Sequence, residues 1–392
     1  MKKIAVSTLY TGLSFSEPVF IEGNNLLVPA GVPIRKKDIE RLNSWGIDVV
    51  LTDGEMVSPQ GKKTMEGEAE EAPQQNKKKA APTVLSLPEV AENKGAYRSY
   101  MDLIERLDTV FTNVSSGISV EPRSIDTITS RLLQTVREQE AHIIGYILGG
   151  EVTGYVLAKS SVNTAILSDL IAGELKLPNH KIMQVVTAAL LHDIGMLNLP
   201  RNILDKRGGL SESEQQRMQA HTQYSYRIIC KEFLYPEDVG LIALQHHERW
   251  DGEGYPRKLS GTQIEMGARI VSVSDAFEAM VSEKPYRNSM IGYQAMKNLL
   301  SDNSRRFDPD VLKAFIQTMG IYPIGSIILL NNGAVARVAE VHGDAPLRPR
   351  VRILIDESGT TFNADEGELI DLLQEKSVFI ARALDPKEIQ KK

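Results

Sequence analysis

The chain has one cysteine, Cys230, in 392 residues. A single thiol excludes an internal disulfide framework and any cysteine-built zinc cluster. Histidine is scarce too, with seven in all. No run approaches the roughly 18 uninterrupted apolar residues of a membrane-spanning helix. The opening MKKIAVSTLYTG lacks the apolar centre of a cleaved signal peptide, so the cytoplasm is the expected location. A basic surplus is also missing: 45 Lys and Arg stand against 51 Asp and Glu, a net charge of −6. That balance argues against a sequence-independent binder of nucleic-acid polymers. The lysines at 77–79 are offset by Glu66, Glu68, Glu70 and Glu71 and read as part of a solvated tether.

What is present is globular. Hydrophobic residues make up 42% and charged residues 24%, enough for a large core, and the length suits two or three domains. Residues 1–58 read as a small mixed unit: Leu26 to Val28 form an apolar run, Lys36 to Trp45 carry helical spacing, and Ile47 to Leu51 read as a strand. Residues 59–93 are poor in large apolar side chains and rich in mixed charge, which predicts a flexible linker. Residues 94–320 keep helical periodicity. Ser124 opens a helix with the stripe Ile125, Ile128, Leu132, Val136, and a second helix runs from about Tyr155. A third ends at Asp193, a fourth starts at Ser211 with Glu214 completing a capping box, and a fifth starts at Pro236. Residues 321–392 read as a β-rich unit, with strands at Ile327–Leu330, Ala334–Val341 and Val351–Ile355 and a hairpin at Asn331-Asn332-Gly333. The expected class is mainly α with small mixed or β units at both ends.

Four of the seven histidines fall within residues 192–247, where they continue apolar helical stripes. Val239, Ile242, Ala243, His246 and His247 follow one face, as do Val185, Ala188, Ala189, His192 and Asp193. His221 lies three residues after Met218, and Val271, Asp275 and Ala279 share a face. A single inward histidine is ordinarily a hydrogen-bonded core residue, and a lone inward aspartate is costly to bury. Four imidazoles and two carboxylates facing one interior are another matter, because divalent cations resolve their combined desolvation cost. His192 and Asp193 can each serve one of two ions, or Asp193 can bridge them, and two ions about 3.5–4 Å apart suit in-line attack on phosphate esters. His142, His180 and His342 have no companions in sequence.

HDIG at 192–195, His221, HHERWDGEGYP at 246–256, SDAFEAM at 274–280 and KPYR at 284–287 resemble the HD-GYP subfamily of HD-domain phosphohydrolases over roughly residues 145–320. The resemblance implies an HD-type helical bundle, two divalent metal ions of iron or manganese type, and hydrolysis of cyclic di-GMP to pGpG and on to GMP. Carried over by position, His192, Asp193, His221, His246, His247 and Asp275 are the metal-ligand candidates. Asp193, Lys284 and Arg287 are the catalytic candidates. Gly254, Tyr255 and Pro256, with Lys284 and Arg287, are the substrate-binding candidates. The resemblance also leaves room for signalling-protein partners at the GYP loop and the flanking units, and for a homodimer. From the residues alone, Asp251 to Gly254 read as turn chemistry, either the mouth of a metal pocket or a plain helix-terminating turn. Lys284 and Arg287 read either as a solvated helix end or as phosphate partners.

Three departures from the family pattern stand out. Ser160 occupies the place of a further histidine three residues before Asn163, Val156 occupies that of a glutamate found in some members, and Met196 replaces the lysine of HDIGK. A trinuclear centre is therefore disfavoured, and charge stabilisation at the phosphate is weakened. The alternative to an enzyme is a non-catalytic cyclic di-GMP receptor or signalling scaffold.

Overall fold

The computed structural model describes residues 2–21, 25–28, 30–34, 39, 42, 49–57, 94–149, 155–206, 208–282, 292–301, 305–363 and 366–384. The expected linker at 59–93, most of the expected helix at Lys36–Trp45, and the KPYR segment lie outside them. The chain divides into two compact units, residues 1–79 and 80–392.

In the first unit β1 (Lys2–Ala5), β3 (Val19–Ile21), β4 (Asn25–Val28) and β5 (Val49–Thr52) form an antiparallel sheet in the order β1-β5-β3-β4. The short β2 (Ser14–Phe15) pairs with β6 (Met56–Val57). Leu13, Phe15, Val19, Leu42 and Val50 fill the core between them.

The second unit is helical first: α1 (Lys94–Ser115), α2 (Pro122–Gly149), α3 (Val156–Glu174), α4 (Asn179–Leu191), α5 (Glu212–Gln219), α6 (His221–Arg227), α7 (Glu237–Gln245), α8 (Met266–Val281), α9 (Gly292–Ser301) and α10 (Pro309–Met319). The stripe Ile125, Ile128, Leu132, Val136 is buried as its period requires. Its helix starts at Pro122 rather than Ser124, because proline suits the first turn, where its missing N–H has no helical partner. Ser211 caps α5 as expected: its hydroxyl accepts from the Glu214 N–H, and the Glu214 carboxylate accepts from the Ser211 N–H. α3 is buried on nearly all sides, packing against α1, α4, α8 and α10, which makes it the axis of the bundle.

Behind α10 follow β7 (Ile327–Leu330), β8 (Val335–Glu340), β9 (Arg350–Ile355), β10 (Leu369–Asp371) and β11 (Ile380–Ala383), an antiparallel sheet ordered β10-β9-β8-β7-β11. The hairpin closes at Gly333, whose N–H donates to Leu330 O. β10 and β11 have no counterpart among the sequence expectations, because each is only three or four residues long and has no fully buried residue. His342, without a companion in sequence, lies 3.0 Å from Asp371 Oδ1 across this sheet. The fold is thus mainly helical with a small antiparallel unit at its C-terminal end. Among the described residues no helix is long and apolar enough to cross a membrane.

One half-buried acid on α3 makes the stability of this bundle pH-dependent. Burial pushes the Asp169 carboxyl up to about 6; Arg137 opposes the rise and Glu140 adds to it. Unfolded, the group titrates near about 3.9, so between roughly pH 4 and 6 the folded chain holds more protons and stability falls as pH rises. Asp169→Asn is expected to add about 1–3 kcal/mol at pH 7 and almost nothing at pH 4. Urea unfolding at the two pH values measures this, and an equal gain at both contradicts it.

Candidate metal centre

The four clustered histidines sit at helix ends. α4 stops at Leu191, two residues short of the expected Asp193, and His192 is its C-cap. α7 stops at Gln245, and His246 is its C-cap, so His247 lies beyond the helix on which periodicity places it. His221 opens α6 directly after the end of α5. Helix C-termini leave carbonyls without intrahelical partners. Each of three imidazoles takes one of them: Nδ1–H of His192 donates to Ala189 O, that of His221 to Met218 O and that of His246 to Ala243 O, all at 2.7 Å. A carbonyl can only accept, so each ring carries a proton on Nδ1, and in its neutral form the Nε2 lone pair faces the interior.

That interior holds Asp193 and Asp275. Asp193 Oδ1 is 3.2 Å from His221 Nε2 and 3.8 Å from His246 Nε2, while its Oδ2 is 3.6 Å from His192 Nε2. Asp275 Oδ1 is 3.7 Å from the same His192 nitrogen. The donor atoms of Asp193, His221, His246 and His247 converge within 4.8 Å of one another, and so do those of His192, His246 and Asp275. His246 belongs to both groups, but its one available lone pair can serve only one ion. Asp193, with one oxygen toward each group, has the geometry of a bridge.

His192 Nε2, Asp193 Oδ1, His221 Nε2 and His246 Nε2 are buried with no hydrogen-bond partner among the described residues. Four orphaned buried polar atoms in one place would be expensive in a finished protein core. The 3.2 Å between His221 Nε2 and Asp193 Oδ1 suits ligands sharing a cation, since donors about 2.0–2.2 Å from one ion lie roughly 3.0–3.5 Å apart, and the other separations are a few tenths of an ångström wider. The electrostatics agree. Burial, with neighbouring imidazole charge, holds His247 down to about 3 and His246 well below its ordinary value, so both stay neutral. At His192 burial opposes protonation, yet the Asp193 and Asp275 carboxylates outweigh it and push the ring up to about 9. Asp275 is held down by His192 against the desolvation that would raise it. The corner between the two carboxylates favours positive charge, which is what a divalent cation would supply.

Two glycines make the approach possible. A Cβ at Gly195 would lie 2.1 Å from the His221 carbonyl oxygen and 2.6 Å from the Ser225 N, so only glycine lets α6 bring His221 against Asp193. A Cβ at Gly254 would lie 2.4 Å from Arg249 N and 2.6 Å from His247 O, so the GYP loop folds back onto the histidine pair only with glycine there. Gly254 therefore acts through backbone packing. Tyr255 N donates to His247 O at 3.2 Å, and its ring faces His247 at 4.8 Å and His221 at 6.4 Å between centroids. Pro256 follows, half-buried.

Sequence reasoning missed three residues here. The carboxylate of Glu248 is buried and accepts from the backbone N–H groups of Arg257 (2.6 Å) and Leu259 (3.0 Å), clamping the far side of the loop. Arg306 brings its charge to bear on His247 and Tyr255, and its carbonyl accepts from Trp250 N–H at 2.9 Å. Glu278, one helical turn after Asp275, is fully buried and accepts from Ser160. A glutamate directly after two inward histidines, and another three residues from an inward aspartate, are the signals that pattern reading could have used. Lys284 and Arg287 lie outside the described residues; Met196 is half-buried beside the site.

Residues 128–311 match the family described as HD domain, and residues 327–392 match a KOW domain associated with HD domain. The stretch 128–311 is thus similar to the HD domain. Its order of motifs is that of the HD-GYP kind, and HD-domain phosphohydrolases are metal-dependent, in keeping with the donor cluster. The cyclic di-GMP phosphodiesterase PA4108 of Pseudomonas aeruginosa is 36% identical over 193 residues, 49% of this chain and 46% of that protein. The cyclic di-GMP phosphodiesterase PdeB of Borreliella burgdorferi is 26% identical over 298 residues, covering 76% of this chain and 78% of that protein. A 3'3'-cGAMP-specific phosphodiesterase of Vibrio cholerae, number 3, is 36% identical over 167 residues, 42% of this chain and 36% of that protein. The chain thus spans about half the length of the Pseudomonas protein.

If Gly195 is what admits His221 to the cluster, Gly195→Ala should weaken manganese binding at least about tenfold while helical circular dichroism is kept. Isothermal titration with Mn²⁺ reads this directly; unchanged affinity would show that α6 can move away at no cost to the site.

Proposed function

We propose that this HD domain is a metal-dependent phosphodiesterase that hydrolyses cyclic di-GMP to pGpG. The observation that carries the reading is the set of four orphaned buried donors beneath Tyr255. Two divalent ions of iron or manganese type, when bound, would polarise the phosphate and lower the pKa of water to make a nucleophile near neutral pH. Asp193, His221, His246 and His247 would hold one ion, and His192, Asp275 and the second oxygen of Asp193 the other. The Nδ1–H bonds to the backbone keep each imidazole in the tautomer that offers Nε2 inward.

The remaining residues bind and orient the dinucleotide. Tyr255 closes one wall of the pocket, and burial first, then the Asp193 and Asp275 charges, push its hydroxyl well up, so it stays protonated and able to donate to a phosphate oxygen. Lys284 and Arg287 are assigned to the phosphates on the KPYR resemblance, and Arg306 adds positive charge at the same mouth. Met196 has no charge to give where the family has lysine. The relatives include proteins named for cyclic di-GMP and for 3'3'-cGAMP, which supports a cyclic dinucleotide as the substrate class, with cyclic di-GMP the proposed member. The KOW unit and the residues before the HD domain are assigned regulation or partner binding, and the domain limits 1–58, 59–93, 94–320 and 321–392 stand as part of the same proposal.

A second reading has its own support. Ser160 donates to Glu278 at 2.6 Å and so is spent inside the protein, and Met196 is neutral, which fits a receptor that binds the dinucleotide without cutting it.

Purified protein loaded anaerobically with Fe²⁺ or Mn²⁺ should convert cyclic di-GMP to pGpG on chromatography, faster than 3'3'-cGAMP. Asp193→Asn should lower kcat about a thousand-fold or more, equivalent to roughly 4 kcal/mol of barrier. Binding without turnover in the metal-loaded chain, with turnover appearing on Met196→Lys, would replace the enzyme by the receptor.

A further inference from the structure

Glu278 is a fully buried carboxylate on α8, three residues beyond Asp275. Its charge is matched from two segments. Ser160 Oγ on α3 donates to Oε2 at 2.6 Å, Asn163 Nδ2 on α3 donates to Oε1 at 3.3 Å, and Ser282 Oγ, just past the end of α8, donates to Oε1 at 2.5 Å. The chain of bonds goes on, since Tyr100 OH on α1 donates to Asn163 Oδ1 at 2.6 Å. Further along the same seam Ser168 Oγ of α3 donates to Ser274 Oγ of α8 at 3.0 Å. Burying an ion is expensive unless its partners are well placed, so a satisfied buried carboxylate fixes the relative position of everything that satisfies it. Here that is the angle and register of α8 against α3, and Asp275 rides on the same turn of α8.

We propose that Glu278 is the positioning residue of the metal centre: held by Ser160, Asn163 and Ser282, it locks α8 so that Asp275 faces His192, and Ser160 serves this carboxylate instead of an ion. The inference rests on the metal centre proposed above. It gives the Ser160 replacement a physical content. The Glu278 carboxylate occupies the space directly in front of the residue-160 side chain, so an imidazole at that position would have to expel a buried charge before it could reach any cation. The pair Ser160–Glu278, with Asn163 and Ser282 on the same carboxylate, is one solution to this corner, and it would leave an ion at His192 and Asp275 with fewer protein ligands than its neighbour. The donor groups agree, because Glu278 joins neither set of converging ligand atoms among the described residues.

The test is manganese binding by the full chain, read as stoichiometry and two affinities by calorimetry and elemental analysis. Wild type should bind two ions. Glu278→Ala should weaken one ion about 10–100-fold and leave the other within about twofold. A general loosening of the bundle would weaken both or neither, so the selective loss separates positioning from plain stability. Ser160→Ala, which keeps the carboxylate and two of its donors, should weaken the same ion about tenfold, and it decides the matter if Glu278→Ala does not fold. Ser160→His should bring no gain. Wild-type affinities for both ions in Ser160→Ala and in any folded Glu278→Ala, or a gain in Ser160→His, overturn this role alone. A wild-type chain that binds no manganese overturns the metal centre and this role together.

Discussion

Three bonds of one kind hold the site together: an imidazole Nδ1–H donating to the carbonyl three residues back, at the end of a helix. His192, His221 and His246 all make it. The bond satisfies a carbonyl that the helix geometry leaves open, and it fixes the tautomer and the direction of the ring at once. Because α4, α5 and α7 all end around one spot, three Nε2 atoms converge there without any side chain searching for its place. The remaining features follow from that convergence. Asp193 must lie between the rings, Gly195 must be bare so that α6 can come close, and Gly254 must be bare so that Tyr255 can cover them.

Much of this was legible in sequence for a physical reason. Helical period carries inward-facing positions reliably, so the six donors could be placed on one interior from spacing, and the Ser211–Glu214 capping box marked the start of α5. Spacing does not show where a helix stops. His246 and His247 look like one more turn of a stripe, whereas the helix ends at Gln245 and the two rings point from a cap and the residue after it. That difference matters, because a histidine inside a helix finds its i−3 and i−4 carbonyls already bonded, while one at the cap finds one open.

The charges buried by tertiary packing were less legible. Glu248 and Glu278 were given no role from sequence, and the structure shows donors that hold them: two backbone N–H groups for Glu248, and two hydroxyls and an amide at Glu278. Ser160 looked in sequence like a loss. In the fold it is one half of a pair. At the C-terminal end the Gly333 hairpin was visible because turn chemistry is local, while β10 and β11 are defined by pairing with β9 and β7, which no short window contains.

The central claim is that the orphaned donors are ligands. Crystals grown with manganese, with diffraction data collected at the manganese edge, test it most directly. Two anomalous peaks about 3.5–4 Å apart are expected, one bounded by Asp193, His221, His246 and His247 and the other by His192, Asp275 and the second oxygen of Asp193. A cluster without a peak, its nitrogens hydrogen-bonded to water alone, would contradict it.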